Sequence, residues 1–187
     1  MDLRITGGEF RGRRVRTIGT SALRPTTDRT RSAIFSILGL DKLIGSKVLD
    51  LYAGTGALGI EALSRGADWA DFVELDKSLA RRLEENLQML GVEHYSDVFQ
   101  GRVERVINEL TKKYDVVFAD PPYRDSNYEN LMGVIVAGDI LKESSIVIIE
   151  HDKDTKLNES HGSLFLTKQR HYGDSGISIF TSKVPND

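Results

Sequence analysis

The pattern of hydrophobic and polar positions along the chain changes near residue 47. Before this point, residues 3–18 alternate loosely around three glycines, which predicts a short hairpin. A turn over residues 23–28 and a helix ending near Leu38 are predicted to follow, because the apolar residues there fall on one helical face. The beginning of the chain is therefore expected to form a small hairpin-plus-helix unit.

Beyond this change, apolar runs typical of buried strands alternate with amphipathic helical patterns. The predicted strands are Val48–Leu51, a second strand that ends with 72–74, a third marked by 98–99, and then Tyr114–Ala119 and Ser145–Glu150. The predicted helices are Ala57–Arg65, Ser78–Leu90, Val103–Leu110 and Tyr128–Val136. Two late runs, 162–167 and 177–181, predict a closing antiparallel pair. This alternation is typical of an α/β fold with a doubly wound, mostly parallel sheet. We expect two units, an extension over 1–40 and a main domain over 41–187.

Charge is unevenly distributed along the chain. The 187 residues carry a formal net charge of -3, but residues 1–31, the leader, hold eight arginines against three acidic residues. The leader is therefore strongly basic and the rest of the chain is acidic, which indicates a nucleic-acid or membrane-surface partner. With 40% hydrophobic and 28% charged residues, the composition excludes both a disordered chain and a membrane-spanning one.

Cysteine is absent from the sequence, which excludes disulfide bonds, thiolate catalysis and thiolate metal sites. The four histidines lack the spacing of metal ligands, so we expect no metal site. No apolar run approaches the ~20 residues that a bilayer requires, and no apolar signal segment follows Met1. We therefore expect a cytoplasmic protein without a membrane partner.

A glycine-rich loop follows the first predicted strand of the main domain. Gly54, Gly56 and Gly59 match the pattern G-x-G-x-x-G, and Glu74 ends the next strand. That spacing suits a carboxylate that accepts hydrogen bonds from ribose hydroxyls. No Lys followed by Ser or Thr ends the loop, so a P-loop is excluded. The loop predicts a nucleotide-type site, although the same glycines also suit a simple tight turn from strand to helix.

Asp50, at the start of this loop, bears on which cofactor binds. A carboxylate there repels the pyrophosphate of a dinucleotide, because like charges at short range disfavour each other. It suits a cationic amino group, such as the methionine end of S-adenosylmethionine. A dinucleotide-dependent oxidoreductase is the alternative interpretation of this loop.

The fourth predicted strand leads into Asp120-Pro121-Pro122-Tyr123. Two consecutive prolines fix two φ angles at about −65° and keep the residues before them out of helical geometry. The Asp120 carboxylate and the Pro121 carbonyl could then accept the two N–H groups of an exocyclic amine, which favours its nucleophilic form. The Tyr123 ring could stack on the base, a contact that contributes ~1–3 kcal/mol. The plainer alternative is a helix cap and a strand end.

Asp-Pro-Pro-Tyr together with the glycine loop resembles the amino-group methyltransferases that use S-adenosylmethionine. More narrowly, four segments resemble the bacterial 16S ribosomal RNA guanine-N2 methyltransferase family: Arg24–Arg29 (RPTTDR), Gly54–Ala67 (GTGALGIEALSRGA), Asp120–Tyr123 (DPPY) and Arg170–Gly173 (RHYG). The DPPY motif alone is shared with adenine-N6 DNA methyltransferases, and RPTTDR discriminates between the two. The resemblance covers nearly the whole chain.

The resemblance implies a Rossmann-like, seven-stranded methyltransferase sheet that transfers a methyl group from S-adenosylmethionine to guanine N2. The implied substrate is 16S rRNA in an assembled or assembling small subunit, and we expect a monomer. The residues expected to hold and activate the base are Asp120, Pro121, Pro122 and Tyr123. The residues expected to bind the cofactor are Asp50, Tyr52, Ala53, Gly54, Thr55, Gly56, Leu58, Gly59, Glu74, Leu75, Asp76, Gly101, Arg102 and Val103. Gln100–Val103 departs from the acidic or amide residue that related enzymes often place near the adenine.

The leader is the expected RNA-binding region, because the planar fork of arginine pairs bidentately with phosphate oxygens. The residues expected to contact RNA are Arg4, Arg11, Arg13, Arg14, Arg16, Arg24, Thr26, Arg29 and, by resemblance alone, Tyr172. Arg24, Arg29 and Arg31 lie beside or on the first helix and could instead line the crevice. For any single arginine, a solvated surface position is the plainer alternative. An adenine-N6 DNA methyltransferase, which would lack a recognition domain here, and a non-catalytic RNA-binding module are the alternative functions.

Overall fold

The computed structural model describes residues 3–17, 28–122 and 127–182. Its strands are β1 (Leu3–Arg4), β2 (Arg14–Val15), β3 (Lys47–Leu51), β4 (Trp69–Glu74), β5 (Ser96–Gln100), β6 (Tyr114–Ala119), β7 (Leu141–Asp152), β8 (Ser160–His161), β9 (Leu164–Tyr172) and β10 (Ser175–Thr181). Its helices are α1 (Asp28–Leu38), α2 (Ala57–Ser64), α3 (Lys77–Leu90), α4 (Val103–Val106) and α5 (Tyr128–Ala137), with short 3₁₀ turns at Glu93–Tyr95 and Ile107–Glu109.

β3 to β10 form one sheet in the order β5-β4-β3-β6-β7-β10-β9-β8. The strands from β5 to β7 in this order are parallel, whereas β10 runs antiparallel to both β7 and β9. The chain builds outward from β3 to β5 in one direction and then from β6 in the other. The order therefore reverses between β3 and β6. In doubly wound sheets such a reversal forms a crevice at the carboxyl ends of the strands, and ligands bind there.

Two apolar clusters cover the two faces of the sheet. The first joins β1, β2, α1, α2 and α3 to side chains such as Phe72, Phe118 and Ile177. The second joins α4 and α5 to side chains such as Val117 and Ile149. Side chains of successive strand residues point to opposite faces, so each strand contributes to both clusters. Burial on both faces explains why the central strands read as continuous apolar runs.

The hairpin of β1 and β2 is anchored on the end of α2. The backbone N–H groups of Glu9 and Phe10 donate to the carbonyl oxygen and the Oγ of Ser64, at 2.7 and 2.9 Å. The Ser64 hydroxyl donates in turn to the Gly7 carbonyl at 2.6 Å. Gly8 has a φ of 76°, and a Cβ at this position would collide with the Ser64 carbonyl. The hairpin thus satisfies groups at the C-terminus of α2 that the helix itself leaves unbonded.

Arg31 on α1 ties the leader to the main domain from inside. Its side chain is 0% exposed, and its Nη2 donates to the Arg4 carbonyl at 2.6 Å and to Asp28 at 2.8 Å. Its Nε lies 3.3 Å from Glu61 on α2, which also accepts from both the N–H and the hydroxyl of Thr6. The hypothesis that Arg31 lines the crevice or contacts RNA is therefore wrong, because its side chain is fully buried and forms ion pairs with Asp28 and Glu61.

The other predicted elements agree in kind with the described residues and differ in one added strand, in some bounds and in one helix; of the predicted turn over 23–28, only Asp28 is described. The sheet has one strand more than the seven expected, because Ser160–His161 pairs with the start of β9. β7 begins at Leu141, before the predicted Ser145, and β9 runs on to Tyr172. The predicted helix over Val103–Leu110 is one α-helical turn followed by a 3₁₀ turn. No helix among the described residues is both long and apolar enough to cross a bilayer.

Candidate active site

The register of the sheet brings the predicted acidic residues to one edge. Leu51 pairs with both Val73 on β4 and Ala119 on β6, so that Tyr52, Glu74 and Asp120 come one residue later on three adjacent strands. Asp50 lies two residues before Tyr52 and is only 2% exposed. Glu74 and Asp120 lie close enough to Asp50 for their negative charges to raise its pKa.

The three glycines of the loop have three different roles. Gly54 has a φ of 55°, and a Cβ there would approach nothing closer than 3.9 Å, so open space lies beside the loop. Gly56 has a φ of 77°, and a Cβ would collide with Leu83 on α3. At Gly59 a Cβ would collide with the Phe72 ring, so this glycine permits close packing of α2 on the sheet. Of the three, only Gly54 has uncrowded space beside its Cα.

Glu74 at the end of β4 supports this loop. Its two carboxylate oxygens accept the backbone N–H groups of Gly54 and Asp76, both at 2.7 Å, and the residue is buried. Each carboxylate oxygen has room for a second hydrogen bond, because it carries two acceptor sites. The geometry therefore suits a carboxylate that holds the loop and also accepts ribose hydroxyls.

Asp50 is buried beneath the loop at the start of α2. One of its oxygens accepts the backbone N–H of Gly59 at 2.8 Å. The pKa of Asp50 is raised from 3.8 to about 8, mainly because the carboxyl is buried; the hydrogen bond from Gly59 lowers the pKa, and the charges of Asp120 and Glu74 add to the increase. The ionised form of such a carboxyl is stabilised by a cation, which makes Asp50 a candidate partner for a cationic ligand group.

Asp120 and the prolines follow β6 beside the same crevice. Asp120 is half-buried, Pro121 is buried and Pro122 is exposed. Asp120 has the same strand parity as Phe118, so it belongs to the face that carries the first apolar cluster, as does Asp50. Tyr123, the last member of the motif, lies outside the described residues.

The loops after β4 and β5 follow the carboxyl ends of the strands on the other side of β3 from Asp120. Leu75 is 56% exposed although it is apolar, and its carbonyl accepts the side-chain amide of Gln100 at 2.8 Å. The N–H of Gly101 donates to the Glu74 carbonyl at 2.9 Å. An exposed leucine beside this backbone ladder can pack on a flat apolar ring, which makes Leu75 a candidate contact for the adenine of a cofactor.

Several predicted cofactor residues lie with their side chains away from the crevice. Ala53, Leu58 and Val103 are buried in the two apolar clusters, so their backbone atoms alone face a ligand. Asp76 caps α3, because its carboxylate accepts the N–H groups of Ser78 and Leu79. The remaining predicted positions are a buried Thr55 in the loop and Arg102 at the N-terminus of α4.

Tyr52 adopts an unusual backbone conformation for a residue with a side chain. Its φ is 60°, in the left-handed region that favours glycine. Burial raises the pKa of its hydroxyl to about 12, with smaller contributions from Glu104 and Tyr128. Strain of this kind concentrates at functional sites and supports the placement of Tyr52 at the turn into the loop.

The predicted RNA residues fall into three groups. The leader residues Arg4, Arg11, Arg13, Arg14 and Arg16 and the helix residue Arg29 are exposed. Arg24 and Thr26 lie outside the described residues. Tyr172, at the end of β9, is half-buried and packs against the first apolar cluster.

The structure adds polar residues at this edge that the sequence interpretation missed. Glu150 is buried at the carboxyl end of β7, one residue after the partner of Ala119, and so lies beside Asp120. The ring of its neighbour His151 contacts Ser178 at 2.8 Å and packs edge-on against Tyr128. Glu150 ends the strand predicted from the sequence, as Glu74 does, although β7 runs on to Asp152 in the structure. This parallel is the signal that could have found it. Within the described ranges, no group of acidic or histidine side chains could hold a metal ion.

Residues 3–181 match a protein family described as Conserved hypothetical protein 95. The chain is 32% identical over 184 residues to the "Putative rRNA methyltransferase YlbH" of Bacillus subtilis, covering 97% of this chain and 100% of that protein. It is also 32% identical over 185 residues to the "Ribosomal RNA small subunit methyltransferase D" of Escherichia coli, covering 99% and 92%.

Solved structures show the same architecture. The "Putative methyltransferase yhhF" of Escherichia coli superposes with a TM-score of 0.86 at 28% identity, covering 97% of this chain and 98% of that one. A more distant structure, described as "SMU.776, a putative methyltransferase complexed with SAH", matches with a TM-score of 0.60 at 16% identity, over 82% of this chain and 48% of that one. The second likeness concerns the fold alone.

Proposed function

The chain belongs to the family Conserved hypothetical protein 95, and from this premise we propose that it methylates the N2 amine of a guanine in 16S rRNA of the small subunit. It is an S-adenosylmethionine-dependent rRNA methyltransferase, in keeping with relatives named as rRNA methyltransferases over nearly its whole length. The choice of guanine N2 and of small-subunit RNA is the finer part of the proposal. The observation that best supports methyl transfer to an amine is that Asp50, Glu74 and Asp120 lie together at one edge of the sheet.

The residues at the crevice fit this cofactor. Asp50 would hold the amino group of the methionine end, because a cation stabilises the ionised form of a buried carboxyl. Glu74 would accept the ribose hydroxyls, and Leu75 would pack on the adenine. The open space beside Gly54 admits a ligand close to the backbone. When bound, S-adenosylmethionine supplies the methyl group on an electrophilic sulfonium carbon.

Asp120 and the Pro121 carbonyl would act on the target amine. The lone pair of guanine N2 is delocalised into the ring, and hydrogen bonds from its two N–H groups to these acceptors favour the form in which the lone pair is available. Asp120 would also stabilise the positive charge that develops on N2 and take the proton that N2 loses. Tyr123 would stack on the base. The enzyme then needs only proximity and acceptors, without a covalent intermediate.

The leader would hold the RNA while the target base leaves its stack. A guanine in folded RNA must be extruded to reach a crevice of this kind, and phosphate contacts beside the base oppose its return. The exposed arginines of the hairpin are available for these contacts. The substrate would be the assembled or assembling small subunit, met in the cytoplasm by a monomer of this protein.

The alternatives predict other products. An adenine-N6 DNA methyltransferase would label DNA, a dinucleotide-dependent oxidoreductase would bind NAD(H) tightly, and an RNA-binding module would bind RNA without labelling it. The test incubates the protein with labelled S-adenosylmethionine and, in parallel, small subunits, naked 16S rRNA and DNA. Label on a guanine N2 of small-subunit RNA, located by nuclease mapping, is the expected result. Label on DNA, on adenine or on no nucleic acid at all would overturn the proposal.

A further inference from the structure

A basic strip lies on the open edge of the sheet, on the side of the crevice away from β5. β8 pairs only with Phe165 and Leu164, so within the described residues the outer edge of β9 is unpaired from Thr167 onward. This stretch carries Lys168, Arg170 and His171, all exposed, and no acidic residue. Among the described residues, neither Lys168 nor Arg170 takes part in an ion pair.

The register places this strip beside the candidate active site. Arg170 pairs with Ile177 on β10, Ile177 pairs with Glu150 on β7, and Glu150 lies beside Asp120 on β6. Arg170 is therefore three strand spacings from Asp120, or ~14 Å along the row. A few nucleotides of single-stranded RNA span such a distance.

The strip also shares a face with the leader. Lys168 and Arg170 pair with Ile179 and Ile177, which both belong to the first apolar cluster, and Tyr172 packs against that cluster. Residues two apart on a strand point to the same side, so Lys168, Arg170 and Tyr172 all face the side of the sheet that carries the hairpin and α1. Cations on this one face thus flank the crevice from both ends of the chain.

We propose that Lys168 and Arg170 form a second phosphate-binding surface, which contacts the RNA backbone on the side of the target base opposite to the leader. This inference rests on the proposed function and adds the path of the RNA across the site. The positive charges of Lys168 and Arg170 complement RNA phosphates. Arg170 also lies in the same row of paired residues as Asp120, which distinguishes these cations from charges elsewhere on the surface. Basic residues on an edge strand also prevent edge-to-edge association, and the test separates this role from RNA binding.

The test compares the wild type with K168A/R170A and with K113A/K142A, which removes two lysines that are paired with Asp139 and Asp115. Binding to naked 16S rRNA is measured between 50 and 200 mM salt, together with cofactor affinity and sedimentation. K168A/R170A is expected to raise the dissociation constant for RNA by about tenfold and to make the salt dependence shallower by about one to two units in the log–log slope. Its cofactor affinity should equal that of the wild type, and K113A/K142A should bind RNA normally.

Two results would overturn the inference. Unchanged RNA affinity in K168A/R170A with new self-association would assign the two cations to protection of the sheet edge. An equal loss in both double variants would show an effect of net charge alone. Failure of the proposed function is recognised separately, because the wild type itself would then neither bind nor methylate rRNA.

Discussion

Two buried aspartates on neighbouring strands are accommodated in opposite ways. Asp71 on β4 is 0% exposed and accepts from Trp69 Nε1 at 2.6 Å, from the Tyr114 hydroxyl at 2.5 Å and from Lys112 Nζ at 3.2 Å. Asp50 on β3 accepts one backbone N–H and faces two further carboxylates. Within the described ranges it takes part in no ion pair.

The difference is one of hydrogen-bond donors and charge: the fold surrounds Asp71 with donors and a cation, but it does not do so for Asp50. The hydrogen-bond donors of Asp71 are side chains of the fold itself. One of them is the Tyr114 hydroxyl, whose pKa is raised by burial and by its hydrogen bond to Asp71. Lys112 also stacks on the Trp69 ring, with its Nζ 4.6 Å from the centroid. Asp50 has one backbone donor and no cation of this kind among the described residues, and we propose that a cationic group of the cofactor supplies that charge.

The largest expected effect is on turnover, at the carboxyl edge. Asp120→Ala removes an acceptor for the target amine and is expected to lower the methyl-transfer rate by ~10²–10³-fold or more, the loss typical of a single transition-state hydrogen bond. Cofactor affinity measured by calorimetry should not fall, because the removal of one neighbouring charge makes ionisation of Asp50 easier. A near-wild-type rate in this variant would contradict the role of Asp120.

The second effect is on stability, at Asp71. Asp71→Ala leaves Tyr114, Trp69 and Lys112 without their shared acceptor, and the free energy of unfolding should fall by ~3–5 kcal/mol. Denaturant unfolding measures this loss. The control is Asp97→Ala, because Asp97 also binds Lys112 but is half exposed, and its loss should cost ~0.5 kcal/mol. Equal losses in the two variants would remove the distinction between buried and exposed acceptors.

The third effect is that cofactor affinity depends on pH, because Asp50 must ionise before it can bind a cation. The ligand-free protein holds this carboxyl protonated below about pH 8, so a cationic amino group can bind only as the proton leaves. Cofactor affinity should therefore fall by up to about tenfold for each pH unit below 8, and calorimetry in two buffers should detect release of the proton. A wild-type affinity that does not change between pH 6 and 8 would contradict this assignment.

The same shift fixes the sign of the effect on stability. Between about pH 4 and 8 the folded protein keeps a proton that the unfolded chain has released, so the ligand-free stability falls as the pH rises through this window. Asp50→Asn should flatten this decline, and it should also bind the cofactor weakly at every pH. Thermal unfolding measured from pH 5 to 9 compares the two proteins.

The smallest expected effect concerns the loop beside Asp50. Gly54→Ala and Gly91→Ala both place a Cβ at positive φ in uncrowded space, so each should cost ~1 kcal/mol of stability. Only Gly54→Ala should also weaken cofactor binding, because its Cβ occupies the space that the ligand needs. An equal cofactor affinity in the two variants would show that the space beside Gly54 has no such role.

The sequence predicted the elements and the acidic edge better than it predicted pairing. The regular spacing of apolar runs identified β3, β4, β6 and their helices, and strand ends located Asp50, Glu74 and Asp120. Which arginines are buried was not predictable from the sequence. Arg29 is exposed, whereas Arg31, two residues later, is fully buried against Glu61. That contact depends on how α1 packs on α2, and no local pattern encodes it.

Short segments at the sheet edge were also missed for a physical reason. Ser160–His161 has no apolar alternation of its own and becomes a strand only through its bonds to β9. The neighbours of Glu150 and Lys168 are determined by the register of their strands. Register depends on distant contacts as much as on local sequence, so these neighbours could not be predicted. The part of the site built from motifs was therefore predictable, whereas the part built from neighbouring strands was not.

The anchoring of the hairpin on later elements imposes an order on protein synthesis. Thr6 and Phe10 bind Glu61 and Ser64, which follow 55 and 54 residues later, and Arg16 binds Asn86, which follows 70 residues later. At 5–20 residues per second, the arginine-rich leader therefore waits roughly 3–14 s outside the ribosome before its partners emerge. During this interval the most basic part of the nascent chain is undocked beside a surface made largely of RNA. Its apolar residues can be buried only once α2 and α3 have been made, so the leader is translated first but must wait for later segments before it can dock.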